Sequence, residues 1–344
     1  VELEQMKILS EARGVSGQEA AVRAYLREQL EGHVGELRSD TLGNLFAYKA
    51  GSLERPVVMF AAHMDEVGFL VTGVDKEGMV HVATVGGVDA GVIPSKAVKV
   101  GPKALPGVIG TKAIHLQEPD ERTKPFDVKK LVVDIGAKNK DEASKLVKPG
   151  DQVTFATSFG EFGDGLWKGK ALDDRIGCAV LTEVLRGSYE VPVVGVFTVQ
   201  EEIGTRGAAV AAYAVRPDIG VCLEGTVCAD IPGTEEDAET TRLGSGPAIS
   251  VMDAGTIHHP VLVKHLVKLA KANGIPYQYR RAIRGGNDAS RMSLAGAGAK
   301  ACAVSVPCRY IHSPVAVASR KDFENTVKLL RVFLESVGKG ELEI

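Results

Sequence analysis

No Cys-x-x-Cys pair occurs among the five cysteines of this sequence, Cys178, Cys222, Cys228, Cys302 and Cys308. A Cys-ligated zinc site therefore lacks the spacing it needs. An odd number of cysteines in apolar or Gly-rich segments reads instead as reduced, buried thiols, the state expected of a cytoplasmic protein. No apolar run reaches the ~18 residues of a membrane-spanning helix, and the acidic, amphipathic start Val1-Glu2-Leu3-Glu4-Gln5 is unlike a secretory leader. Basic blocks are missing too. The 41 Lys and Arg are mixed with 44 Asp and Glu, for a formal net charge of −3, so nothing tracks a phosphate backbone. The expectation is a cytoplasmic protein with neither a membrane nor a nucleic acid as partner, and there is no internal repeat or low-complexity tract.

What is present is enough apolar sequence for a sizeable core: 344 residues, 44% hydrophobic and 25% charged. Residues Leu3 to Leu30 carry apolar side chains at helical spacing. The string Ser16-Gly17-Gln18-Glu19 interrupts them, and its Ser-x-x-Glu spacing predicts a capping box that opens a second helix. Leu42 to Tyr48 reads as a strand, and the apolar run Pro56 to Ala62 as a strand buried on both faces. From Val67 to about Gly165 the texture turns Val- and Gly-rich with frequent turn signals, which predicts a small β-barrel or sandwich, with one helix over Lys138 to Val147. Alternation then returns. Helices are predicted over Arg175–Arg186, Gly207–Tyr213, Pro260–Asn273 and Asp322–Gly338, and strands over Val191–Val199 and Asp218–Leu223. The economical architecture is an α/β domain made of residues 1–66 and 166–344, interrupted by a β domain over 67–165.

Five polar clusters sit beside these buried segments: His63-Met64-Asp65-Glu66, Asp173-Asp174-Arg175, Glu201-Glu202, Glu224-Gly225 and Arg309-Tyr310-Ile311-His312-Ser313-Pro314. In an open α/β sheet, groups at the carboxyl ends of strands converge on one crevice. Two imidazoles and several carboxylates there suit Zn²⁺, Co²⁺ or Mn²⁺. Two cations ~3.5–4 Å apart repel, so a bridging carboxylate and terminal carboxylates must screen them. A further carboxylate must stay free to take a proton from the attacking water. Singly, each cluster has a plainer reading. His63 could be a core histidine, Asp173-Asp174 a helix cap, and Glu201-Glu202 a solvated pair. Asp65, two residues along an extended chain, could orient His63 or simply make a turn. Their joint placement is what points to a metal hydrolase. His258-His259 is a rival ligand source, but adjacent strand residues point oppositely, which predicts a surface or pocket-rim position.

The strings Ala61-Ala62-His63-Met64-Asp65-Glu66-Val67-Gly68, Ala171-Leu172-Asp173-Asp174-Arg175, Gln200-Glu201-Glu202-Ile203-Gly204-Thr205-Arg206-Gly207 and Arg309-Tyr310-Ile311-His312-Ser313-Pro314 resemble, in order, the M42 family of metallo-aminopeptidases. This family includes the glutamyl aminopeptidases and the tetrahedral TET peptidases. The resemblance implies a mixed-sheet, zinc-peptidase-like catalytic domain with an inserted β-barrel for dimerisation, and a homo-oligomer as large as a tetrahedral dodecamer. It implies two divalent cations, Zn²⁺ or Co²⁺ with Mn²⁺ also compatible, and short peptides as substrates. Asp173 would bridge the cations, with His63 and Glu224 on one side and Glu202 and His312 on the other. Glu201 would be the general base, Asp65 the partner of His63, and the Asp173–Asp174 peptide would be cis. Glu224 stands where many relatives carry Asp, and Gly286-Asn287-Asp288-Ala289 where they often read Gly-Thr-Asp-Ala. Arg281, Arg284 and Arg291 flank that loop and read first as surface residues. Competing readings are a carboxylate-pair glycosidase using Glu201 and Glu224, a deacylase or carboxypeptidase with a similar di-metal centre, and a non-catalytic metal binder.

Overall fold

Alternate residues of the apolar run before His63 are buried on opposite sides of the chain. Val58, Phe60 and Ala62 join one apolar cluster, while Met59 and Ala61 join another. A strand buried on both faces must lie inside a sheet covered by helices on each side, and the computed structural model has that architecture. It describes residues 2–119, 126–127, 130–235, 240–281 and 283–342.

In chain order the strands begin with β1 (Glu36–Ser39), β2 (Leu45–Lys49) and β3 (Val58–His63). Six short strands follow: β4 (Gly68–Val74), β5 (Val80–Val85), β6 (Ala97–Val100), β7 (Leu105–Ile109), β8 (Val132–Asp134) and β9 (Gln152–Phe155). Then come β10 (Gly160–Phe162), β11 (Leu166–Gly169), β12 (Val193–Thr198), β13 (Ile219–Cys228), β14 (Ala248–Ser250), β15 (Gln278–Arg280), β16 (Lys300–Arg309) and β17 (Ala316–Ser319). Among the described residues eleven strands form one mixed sheet, in the order β1-β2-β12-β3-β13-β16-β17-β11-β10 with β14 beside β16 and β15 beside β14. The six short strands close an antiparallel barrel, β4-β5-β8-β7-β6-β9, around Phe69, Val98, Val133 and Phe155. Strand β10 pairs with β11 in the large sheet, so the chain has rejoined that sheet by residue 160.

Helices Glu2–Glu11, Ala20–Leu30, Leu172–Leu185, Pro260–Ala272 and Arg320–Gly338 cover one face, and Arg206–Val215 and Ala289–Met292 the other. The helix Leu172–Leu185 is buried at 12 of its 14 positions. A helix enclosed on all sides has no polar face to present, which is why its sequence reads as nearly uniformly apolar after Arg175. The five cysteines are buried and unpaired. Among the described residues no helix is long and apolar enough to cross a membrane.

Two local expectations are corrected. The Ser16–Glu19 string is not a capping box: Glu19 precedes the helix Ala20–Leu30 without a side-chain cap. Ser16 Oγ instead donates to Asp65 (2.6 Å), and the Glu19 carboxylate accepts from the backbone N–H of Gly17 and of Gln200. The spacing that suits a helix N-terminus also suits a bracket on a neighbouring loop. The strand expected to stop at Leu223 runs on to Cys228, paired in parallel with β16 along its whole length. Gly225 sits inside that strand for close approach: a Cβ there would lie 3.1 Å from Asp173 Cα and 3.1 Å from the carbonyl oxygen of Leu172. A Gly225→Val change should therefore destabilise the chain by about 1–3 kcal/mol through overpacking. Urea unfolding checks this, and an unchanged midpoint would contradict the packing argument.

Candidate metal centre

Four neighbouring strands, β12, β3, β13 and β16, run parallel, so their carboxyl ends open on one side. Register then decides which side chains meet. Thr198 lies opposite His63, and Cys222 opposite Ala61. Glu224, two residues beyond Cys222, is thus level with His63 and returns to the same face as Cys222. Past the strand ends lie Met64–Glu66, Val199–Glu202 and Tyr310–His312. The start of the helix Leu172–Leu185 is set against β13 by Gly225. Asp173 and Asp174 have non-helical backbone angles there, and the peptide between them is cis.

These elements bring His63, Asp173, Glu201, Glu202, Glu224 and His312 around one cavity of about 910 Å³. Asp173 divides its two oxygens: Oδ1 is 3.2 Å from His63 Nε2 and Oδ2 is 3.4 Å from His312 Nε2. Glu224 Oε2 is 3.7 Å from the same His63 nitrogen, and Glu202 Oε2 is 3.5 Å from the same His312 nitrogen. Two half-sites thus share one carboxylate. Donor atoms of His63, Asp173 and Glu202 lie within 4.8 Å of one another, as do those of His63, Asp174 and Glu224. Asp174 is already engaged: it accepts from the backbone N–H of His63 (3.1 Å) and of Gly177 (3.0 Å), the latter a helix-capping contact.

Asp65 is fully buried behind His63. Its carboxylate is 3.4 Å from His63 Nδ1 and accepts the backbone N–H of Glu201 (3.0 Å) and of Glu202 (3.1 Å). Burial works against the charge of Asp65, but His63, Ser16 and the Glu201 N–H hold its carboxyl below the usual range. Burial works against the charge of Asp173 too, but His312 and His63 hold it low, whereas three glutamates of the centre are driven the other way. Burial pushes Glu201 up to about 9 and Glu202 up to about 7, and neighbouring carboxylates add to both shifts. Burial, with Asp174 next, raises Glu224 well above its ordinary value. A hydrogen bond to Asp173 lifts His312 to about 9. Burial opposes protonation of His63, yet Asp173 and Asp65 raise it well above the ordinary imidazole range. Crowded oxygens and nitrogens, with more negative than positive charge, form a donor set that divalent cations fit and that protons otherwise compensate.

Other parts of the site had little sequence signal. Asp288 is buried and accepts from Thr198 Oγ1 (2.6 Å) beneath Glu201's loop. Arg280 lines the cavity, its Nε donating to Thr226 Oγ1 (2.8 Å) two residues beyond Glu224. Arg281 and Arg284 are exposed at the cavity wall, while Arg291 turns to Thr205. The expectation for His258 is corrected: it is 1% exposed, with Nε2 3.1 Å from Asp253. Asp253 in turn accepts from Asn287, which lines the cavity.

Comparison with known proteins bears on the family and the fold. The M42 glutamyl aminopeptidase family model matches residues 43–329. A lysyl aminopeptidase of Pyrococcus furiosus is 33% identical over 98% of both chains. The crystal structure of a TET aminopeptidase from a marine sediment Thaumarchaeota archaeon is 34% identical, covers 99% of each chain and superposes with a TM-score of 0.94. An endoglucanase structure from Thermotoga maritima is 38% identical, covers 98% of each chain and has a TM-score of 0.82. With its ordered motifs, its barrel-interrupted sheet and a family match over most of its length, the chain belongs to the M42 glutamyl aminopeptidase family of peptide hydrolases.

Proposed function

We propose that this chain is a di-metal aminopeptidase that releases N-terminal residues from short peptides, with Glu201 as general base. The observation that carries the proposal is the division of Asp173 between two imidazole–carboxylate pairs in the cavity that Glu201 also lines. His63, Glu224 and Asp173 would hold one cation, and His312, Glu202 and Asp173 the other. Bound Zn²⁺, Co²⁺ or Mn²⁺ would supply Lewis-acid polarisation of the scissile carbonyl and offset the negative charge of the centre.

The protein's own groups supply the rest. Glu201 is nearly buried, with His63, Asp288, Glu202 and Asp173 as its electrostatic surroundings. Positive charge in the centre favours its ionised form, which can accept the proton of the attacking water and return it to the leaving amine. Asp65 fixes His63 through its Nδ1 side and leaves Nε2 for a cation. The acidic lining favours a free α-ammonium group, which makes the activity an exopeptidase. A glycosidase reading draws on the endoglucanase likeness and on Glu201 and Glu224 facing one cavity. It leaves His63, His312 and the shared Asp173 without a task, and is the weaker reading.

We place the protein in the cytoplasm on its five unpaired cysteines. The family resemblance supports a dimer-based homo-oligomer built through the barrel. Val108, Ile114 and Leu116, in and beside that barrel, are 49%, 70% and 62% exposed, apolar surface of the kind a partner copy covers.

Glu201→Gln should keep its cations and lose about 10²–10⁴-fold in kcat. Release assays on free-amine peptides with parallel metal analysis check this, and near wild-type turnover would remove Glu201 from its role. N-acetylated twins of the same peptides should be cut poorly, and equal cleavage of both would point to a different di-metal hydrolase. Because Glu202 near 7 and His312 near 9 must give up protons to bind a cation, affinity should climb between pH 6 and 9. Chelator competition measures it, and a flat profile would contradict the ligand assignment. Light scattering should give a mass above that of the 344-residue monomer, and a monomer with and without metal would exclude the assembly.

A further inference from the structure

The two halves of the centre are supported differently. His63 is 1% exposed and is held by Asp65, through the backbone oxygen at 3.1 Å from Nδ1 and the carboxylate at 3.4 Å. His312 is 39% exposed in its side chain and sits on a turn where both it and Tyr310 have positive φ (58° and 61°). Away from the carboxylates of the centre, its ring has one polar anchor among the described residues: Nδ1 lies 2.8 Å from the carbonyl oxygen of Gly87. A carbonyl can only accept, so Nδ1 carries the proton and Nε2 is directed at Asp173 and Glu202.

Gly87 follows β5 and so comes from the barrel side of the molecule. Its neighbour Gly86 has φ +76°, and a Cβ there would fall 2.9 Å from Val67 Cγ1, 3.2 Å from Glu202 Cβ and 3.5 Å from Glu202 Oε2. At Gly87 a Cβ would fall 3.3 Å from His312 Nδ1. This pair therefore contacts both side chains of one half-site, Glu202 and His312. Neither His63 nor Glu224 is among the nearest atoms.

We infer that the Gly86–Gly87 turn is a positioning element for the His312–Glu202 half of the centre. Its carbonyl sets the tautomer and direction of His312, and its missing side chains leave Glu202 where it can share a cation with that ring. Half of the centre is thus completed by the barrel, while the His63–Glu224 half is completed within the large sheet. The inference rests on the two-cation reading above and goes beyond it by assigning a barrel segment to one cation and not to the other.

The test is a Zn²⁺ titration of metal-free full-length protein against a chromophoric chelator, for wild type, Gly87→Val, Gly87→Ala and Gly73→Ala. Gly73 is a barrel residue with open space around it and serves as the control. Wild type and Gly73→Ala should take up two equivalents with the same two affinities. In Gly87→Val one affinity should fall about 10–100-fold while the other stays unchanged, since supporting contacts to a metal-ligating histidine are worth that much. Gly87→Ala should show the same one-sided loss, smaller, and carries the test if circular dichroism shows that the valine variant does not fold. Combining Gly87→Val with His312→Ala should weaken that step no further than His312→Ala alone. Two unchanged affinities in the Gly87 variants, or an equal fall in both, would overturn the inference and leave the two-cation reading standing. Wild type taking up fewer than two equivalents would overturn both.

Discussion

Asp65 is the buried charge on which the arrangement turns. Its two oxygens gather Ser16 from the N-terminal loop, the backbone of Glu201 and Glu202 from the end of β12, and the ring of His63 from the end of β3. Hydrogen bonds to a charged group are worth about 1.5–3 kcal/mol each, and a buried carboxylate stripped of them would be heavily penalised. The next residue continues the pattern. Glu66 receives Lys170 Nζ at 2.7 Å on both oxygens, with Arg175 Nη2 at 3.5 Å, and all three side chains are buried. Lys170 and Arg175 flank the Asp173–Asp174 segment. Two adjacent acids therefore fix the segments that carry four of the six cavity-facing catalytic and ligand candidates, leaving Glu224 on β13 and His312 to other supports.

This scaffolding answers an electrostatic problem of the fold's own making. Parallel strands deliver their polar ends to one place, and here they deliver mostly carboxylates. Burial disfavours their charge, and mutual repulsion disfavours it further. Asp65 and Glu66 sit behind the cavity with full sets of donors. Of the acids that face the cavity, Glu201, Glu202 and Glu224 have fewer donors and are pushed upward by burial, whereas Asp173, set between two imidazoles, is held low. The difference separates groups that hold the structure from groups left available for cations and protons.

Much of this was legible in the sequence because buried strands announce themselves. An apolar run that stops at His63, and another that stops before Glu201-Glu202, locates two loops of the centre without coordinates. Legibility failed where one residue type serves two physical purposes. The strand expected to stop at Leu223 runs on past Gly225, where glycine admits the backbone of Asp173. Ser16 and Glu19 looked like a helix cap, although both reach across to the site loops. His258 looked superficial because neighbouring strand residues point apart, but it precedes a helix and is buried against Asp253. The Gly87 carbonyl could not have been found, since every residue has one and only the tertiary fold says where it points.

The register that places His63 beside Thr198 and Glu224 beside Ser305 has a further meaning for how such an enzyme can change. Ser305 lines the same cavity but has the shortest side chain of that row, and it lies on the far side of Glu224 from His63. It forms part of a floor whose height one side chain can alter. A bulkier residue there would make the chamber shallower without moving a carboxylate or an imidazole, so the range of side chains admitted can drift while the chemistry stays fixed.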